Sequence, residues 1–485
     1  MKGRWVIKLG IVASIQTITS HASAFDPLLV QHTVPTNSNG GTIFGEQPCE
    51  FGALGRPLAL REAVERSLCH NPKTREAWTS VKAQAAAVGV ARAAFLPTVS
   101  GNWQGVRDDS ATDVNGHPQL SSNTAATVRS ESVTLNWVLF DFGGRSAALH
   151  NASALLAAAR ATQDATLQDA FAMVAKDYYT AQAMQAAQEA ATTVEGMTRD
   201  SLIAAQAKVD RGVAPVTDML LAQTQHEEAV FSLTKAEGDA QTAFGTLASD
   251  MGLDPDEALM VPAVTASSMP DQTYSESVAQ LIEDVKRTHP SVLAAQAQFE
   301  AAQAKVAQTR AEGLPNISLV AKYSRNNQPA SLGLGIPTFP ANGRDAYVGV
   351  QVSIPFFEGF SRHYQSQQAV ADAERQREAL DGTRQQVALD VWIDYQALRT
   401  ATLNATHSET LLAIAGRAFD AAEHRYQSGV GNILELLNTQ TALATAQQRR
   451  VQALTDWSSA KLQLASKLGR LNMSDLAKGA PSELK

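Results

Sequence analysis

Residues 145–210 contain no proline and a single glycine, Gly196, and residues 359–427 contain no proline at all. Proline removes a backbone donor and clashes with the preceding turn, so spans this long without it read as unbroken helices. At about 1.5 Å rise per residue, each is a rod of roughly 100 Å. Such a rod cannot wrap a compact core and must run beside a partner along a narrow seam. The composition suits narrow seams: aromatic residues are only 6 %, and Ala and Gln are abundant.

Each rod ends on the same short stretch. The first copy is Lys208-Val-Asp-Arg-Gly212-Val-Ala-Pro-Val-Thr-Asp-Met-Leu-Leu-Ala-Gln223, and the second is Arg425-Tyr-Gln-Ser-Gly429-Val-Gly-Asn-Ile-Leu-Glu-Leu-Leu-Asn-Thr-Gln440. Gly212, Val213, Leu220 and Gln223 recur 217 residues later as Gly429, Val430, Leu437 and Gln440. In each copy a glycine closes one helix in a left-handed cap, and Pro215 or Asn432 suits the start of the next. Val174 and Tyr178 match Val391 and Tyr395 at the same spacing, Leu96-Pro97 matches Leu314-Pro315, and Asn71-Pro72 matches His289-Pro290. The chain is therefore an internal duplication of helical hairpins.

Between the short helices and the rods the period changes from helical to two. Val99, Gly101, Trp103 and Gly105 alternate with Ser100, Asn102 and Gln104, and Val133, Leu135, Trp137 and Leu139 alternate with Ser132, Thr134 and Asn136. The second half repeats this with Ile317, Leu319, Ala321 and Tyr323, then Val348, Val350, Val352, Ile354 and Phe356. These patterns predict strands over about 97–107, 126–140, 315–325 and 345–357, each with one apolar and one polar face. The long helices are predicted over about 144–210, 215–249, 359–427 and 432–468.

Basic Met1-Lys-Gly-Arg-Trp-Val-Ile-Lys8, an apolar stretch from Leu9 to Ile18, and Ala22-Ser-Ala24 predict a signal peptide over 1–24. No cysteine follows at Phe25, so a lipoprotein signal is not expected. Removal of Lys2, Arg4 and Lys8 leaves 37 basic against 48 acidic side chains, a formal charge of −11. That balance argues against a nucleic-acid partner. The rest of the scheme is an extended N-terminal arm (25–56), a first repeat (57–253), a linker (254–273), a second repeat (274–471) and a polar tail (472–485). In an exported chain Cys49 and Cys69 are expected to bridge rather than hold a metal with His70. Beyond the signal no apolar run reaches about 18 residues, so no transmembrane helix is expected.

Two-stranded units with an apolar face have open edges and little stability alone. For an exported protein the outer membrane accepts strands that are apolar outward and polar inward, but only in a closed barrel. Four strands cannot close one, so several chains must pool theirs, and three chains would give twelve.

The order helix, Pro, helix, Leu-Pro, strand, loop, strand, an F-D/E-x-G-R-like turn, long helix and glycine turn, occurring twice from about Leu58 to Leu471, resembles the TolC family of outer-membrane channels. The resemblance implies a homotrimer with a twelve-stranded outer-membrane β-barrel continued by a long periplasmic α-helical barrel. It places the glycine turns Gly212-Val213 and Gly429-Val430 at the periplasmic tips, where a periplasmic adaptor docks. It also implies an entrance held closed by a tyrosine and an aspartate, here Tyr426 and Asp218. A neighbouring threonine matches at Thr217, whereas its arginine partner falls on Gly431 and is absent. Of two acidic rings in the family, the first falls on Glu435 and the second on uncharged Asn438. The plainer alternatives are a solvated helix face for Glu435 and seam packing for Tyr426. The lead-in Pro48-Cys49 and Leu68-Cys69-His70-Asn71-Pro72 resembles the branch that exports repeat-in-toxin proteins by type I secretion.

No catalytic constellation, cofactor loop or metal-ligand spacing is present in the sequence. Asp141-Phe-Gly143 lacks the glycine-rich and catalytic loops that give such a triplet meaning in kinases. With no nucleotide site of its own, the chain would depend on an inner-membrane ABC transporter or proton-driven pump to move its cargo. The readings carried forward are a protein-secretion channel, a small-molecule efflux channel, and an exported coiled-coil structural or adaptor protein without a pore.

Overall fold

A computed structural model describes residues 26–40, 49–52, 54, 57–262, 277–330 and 339–469. The expected signal peptide over 1–24 and polar tail over 472–485 lie outside these residues, as do parts of the expected arm and linker. Eight helices and four strands order the described chain as α1 (Leu60–His70), α2 (Pro72–Ala93), β1 (Thr98–Thr112), β2 (Ser122–Phe140), α3 (Gly144–Asp210) and α4 (Val216–Asp250), then α5 (Val278–Thr288), α6 (Pro290–Ala311), β3 (Asn316–Asn326), β4 (Gly343–Ser353), α7 (Ser361–Gln427) and α8 (Ile433–Lys467). No described helix is long and apolar enough to cross a membrane.

The chain divides into two compact units. The first takes the described parts of Met1–Val34, Lys82–Leu156 and Ala297–Arg377. Its centre is one antiparallel sheet in the order β1-β2-β3-β4. The two repeats join where β2 pairs with β3, from Ser130 opposite Asn326 to Phe140 opposite Ile317, with a bulge at Val138/Phe140. The register puts Val99, Leu135, Ala321 and Val348 side by side on one face, and Ser100, Thr134, Lys322 and Tyr347 on the other. The apolar face is bare: Trp103 is 68 % and Val348 75 % exposed. Among the described residues β1 and β4 each pair on one side only, so both sheet edges are open there.

Strand lengths follow hydrogen bonding more than alternation. β1 continues through polar Arg107, Asp108, Asp109 and Ser110 to Thr112, because these pair backbone to backbone with Thr127–Ser122. β4 stops at Ser353, before Ile354-Pro355, since proline cannot donate to a ladder. The return from strand to helix needs left-handed backbone twice, at Phe142-Gly143 (φ 51° and 91°) and at Gly359-Phe360 (φ 61° and 63°). There Asp141 accepts from the Arg145 backbone N–H (2.8 Å) and Nε (3.1 Å), while Arg145 Nη1 donates to the Val138 carbonyl at 2.6 Å. Glu358 and Arg362 repeat the ion pair in the second half at 3.2 Å. The aspartate of the kinase-like triplet is thus a helix-start cap.

The second unit takes the described parts of Pro35–Val81, Ala157–Gln296 and Glu378–Lys485. One core joins Leu58, Val64 and Leu68 to Leu167, Phe171 and Val174 of α3, Leu247 of α4 and Leu462 of α8. Buried Tyr178 satisfies its hydroxyl on the Leu58 carbonyl at 2.8 Å. A disulfide joins Cys49 to Cys69, with Cα atoms 5.8 Å apart. The described part of the arm is pinned by side chains on the helices: Trp78 Nε1 donates to the Pro35 carbonyl (2.8 Å), and Gln163 Nε2 donates to the Gly40 carbonyl (3.1 Å). These donors give the Pro35 and Gly40 carbonyls the partners that buried backbone groups require.

Candidate functional site

Every residue nominated for the entrance lies in the second unit, on the helices that flank the two turns joining α3 to α4 and α7 to α8. In the first turn Gly212 has φ +72°, its N–H bonds the Val209 carbonyl (2.8 Å), and the Val213 N–H bonds the Lys208 carbonyl (3.0 Å). In the second, Gly429 has φ +76°, its N–H bonds the Tyr426 carbonyl (3.2 Å), and the Val430 N–H bonds the Arg425 carbonyl (3.0 Å). Both are left-handed glycine caps that satisfy carbonyls left over at a helix end. The next residues, Val213 and Val430, stand 72 % and 70 % exposed.

Beyond the caps the turns part. Pro215 begins α4 without a side-chain cap, whereas Asn432 Oδ1 accepts from the Glu435 N–H at 2.7 Å and starts α8. Gly431 adds a third bond, its N–H donating to the Arg425 carbonyl at 2.9 Å. A Cβ at Gly431 would stand 2.9 Å from the Tyr426 nitrogen and 3.0 Å from the Arg425 carbonyl carbon. No arginine, nor any other side chain, fits this turn as it is wound.

Tyr426 is 7 % exposed and packs with Ile433, Leu436 and Leu437 in a cluster that partly buried Phe419 joins. It is a seam residue as well as a gate nominee. Burial raises its phenol pKa above the ordinary value, and the Asp218 carboxylate raises it further, so the ring stays neutral. Asp218 therefore acts on Tyr426 through its charge, while no direct hydrogen bond joins the two among the described residues. Thr217 is exposed beside it. Arg425 forms an ion pair with Glu435, Nε to Oε1 3.4 Å, with the side chains 55 % and 41 % exposed respectively. Asn438 is exposed and faces a groove of about 800 Å³ lined by α3, α4 and α8, together with Leu434, Leu437 and Gln440.

Lys208 is the residue that motif matching did not single out. Its Nζ donates to the Tyr426 carbonyl at 3.0 Å and lies 3.5 Å from the centroid of the same ring. The available signal was the duplication itself: Lys208 stands 217 residues before Arg425, as Asp218 does before Glu435.

A four-stranded sheet that is apolar on one face and polar on the other, in one chain with paired helical hairpins, defines a protein of the TolC-like outer-membrane channel class. The outer membrane efflux protein family model matches residues 63–253 and 281–470, one segment per repeat, and the chain belongs to that family. It is an outer-membrane protein of an export-channel family. Among curated proteins it is 33 % identical over 427 residues to Protein CyaE of Bordetella pertussis, covering 88 % of this chain and 87 % of that one. Outer membrane protein TolC of Escherichia coli is 22 % identical over 440 residues, covering 88 % and 85 %. The solved CmeC outer membrane channel of Campylobacter jejuni superposes with a TM-score of 0.73 at 13 % identity, covering 87 % and 88 %, which is a likeness of fold.

Proposed function

We propose that three copies pool their strands into a twelve-stranded barrel in the outer membrane, and that the resulting channel exports protein cargo by type I secretion. The observation that carries the assembly is the sheet: four strands, both edges open among the described residues, with an unburied apolar face opposite a polar one. Open edges and a bare apolar face are stable in lipid only when closed into a barrel. The type I reading is supported by the Cys49 and Leu68–Pro72 lead-in, and by the stronger similarity to Protein CyaE than to TolC. Energy would come from an inner-membrane ABC transporter reached through a periplasmic adaptor, with a proton-driven pump as the counterpart if the cargo is a small molecule.

In this reading Val213 and Val430, beside the cap glycines, present the adaptor-docking tips. Tyr426, Asp218, Thr217, Glu435 and Asn438 frame the periplasmic entrance. Arg425 partly neutralises Glu435 and Asn438 carries no charge, so cation preference should be modest. Purified, detergent-extracted protein reconstituted in planar bilayers should give small, discrete conductance steps that weakly favour cations. Folded oligomer that produces no conductance would move the protein to the scaffold or adaptor class. Secretion of a protein cargo by cells supplied with a matched ABC exporter and adaptor would separate type I export from small-molecule efflux.

A further inference from the structure

We propose that Lys208 is the latch that ties the first helical turn to the second, and so a positioning residue of the entrance; this rests on the gate reading above. The duplication sets the expectation it departs from. Each repeat carries a basic residue four before its turn glycine and an acidic residue six after it: Lys208 with Asp218, and Arg425 with Glu435. In the second turn the pair closes locally at 3.4 Å. By symmetry Lys208 should close on Asp218. Instead its ammonium crosses to α7, donates to the Tyr426 carbonyl at 3.0 Å and sits 3.5 Å from the Tyr426 ring centroid.

Three physical terms favour that position. The Tyr426 carbonyl belongs to the last turn of α7, where helix carbonyls lack intrahelical partners and the helix dipole is negative. The bond is charge-assisted. The ring presents its π face to the cation in a partly desolvated setting. The carbonyl already accepts from the Gly429 N–H, so the Lys208 ammonium bears on the same atom that forms the second turn. Opening the entrance by separating the hairpins must therefore strip this cation from a backbone acceptor. Substituting the tyrosine hydroxyl leaves the contact intact, since neither the carbonyl nor the π face depends on it.

The test compares wild type, Lys208→Met, Lys208→Arg, Tyr426→Phe and the Lys208→Met/Tyr426→Phe double variant, each first checked as an intact oligomer on a detergent gel. In planar bilayers Lys208→Met should raise the closed-state conductance severalfold, and Lys208→Arg should restore wild-type values. The double variant should be more conductive than Tyr426→Phe alone. Hydrogen exchange in detergent should show the Gly429 amide opening about tenfold faster in Lys208→Met, and unchanged in Lys208→Arg. Wild-type conductance and wild-type exchange in Lys208→Met would overturn the latch. Equal effects of Met and Arg would also overturn it, by showing that packing rather than the cation matters. If wild type itself forms no channels the gate reading fails, and the exchange comparison still decides whether Lys208 holds the second turn.

Discussion

The two helical turns share one backbone solution and divide their side-chain work differently. Both end a long helix on a left-handed glycine and expose a valine next to it. The second turn is self-sufficient: Asn432 caps α8, Gly431 adds a backbone bond, and Arg425 closes on Glu435. The first has no side-chain cap on α4 and directs its lysine outward onto the second. Duplication copied the fold of the turn, and later divergence in a few side chains made one turn an anchor and the other its dependant.

The sharpest way to break the comparison is to exchange the residue two after each glycine. Gly431→Ala restores what the first turn carries at Ala214, yet its Cβ would meet the Tyr426 nitrogen at 2.9 Å. The second turn should lose about 1–3 kcal/mol, read as faster amide exchange over residues 425–436. Ala214→Gly should cost less than about 1 kcal/mol, an entropic effect only. Equal losses in the two turns would show that their winding does not differ.

A second contrast lies at the far ends of the return helices. Asp250 ends α4, and 217 residues later Lys467 ends α8. Burial pushes the Asp250 carboxyl up to about 7, helped by the hydrogen bond and charge of Asp177 and opposed by Lys73. Lys467 instead reaches Asp169 at 3.6 Å and Asp390 at 3.9 Å. Because the folded state keeps a proton on Asp250 that an unfolded carboxyl releases near pH 4, this contribution is complete below about pH 4 and is lost as pH rises through about 7. Asp250→Asn should therefore flatten stability over that window and raise it at pH 8 by about 1–2 kcal/mol, after allowance for solvent screening. The check is the thermal midpoint of the detergent-solubilised oligomer at pH 5 and pH 8. A pH slope unchanged by the substitution would place the titration elsewhere.

Smaller effects refine the picture. Asn432→Ala should weaken the start of α8 by about 1 kcal/mol, whereas Pro215→Ala removes no side-chain cap and should change α4 by a few tenths. Amide exchange at Glu435 and at Asp218 reads the two directly. The Arg425–Glu435 pair is exposed, so a double-mutant cycle with Arg425→Ala and Glu435→Ala should give a coupling of only about 0.2–1 kcal/mol, falling with salt. A larger coupling would make this pair, rather than Lys208, the main restraint on the turns.

The extents of the rods, the places of the caps and the faces of the strands were legible in sequence because each depends on neighbours within a few residues. Helical extent follows from the absence of proline, turn geometry from Gly212 and Gly429, and strand faces from alternation. Strand ends were less legible: β4 stops before Pro355, and β1 runs on through polar residues because its ladder partners stand on the adjoining strand. Tyr426 and Asp218 could be nominated from the family resemblance, which places a tyrosine and an aspartate at these distances from the two glycines. The contacts they make could not, because those depend on which helix packs beside which.

Position along the chain thus determined the duplication, the long helices, the four amphipathic strands and the residues offered at each turn. The tertiary structure alone decided how the matching charges are used. Lys208 and Arg425 are equivalent by spacing, and each has an acidic residue ten positions on. One closes on its own acid and the other crosses to a carbonyl 218 residues away, because packing sets the last turn of α7 and the π face of a buried tyrosine within reach of one ammonium.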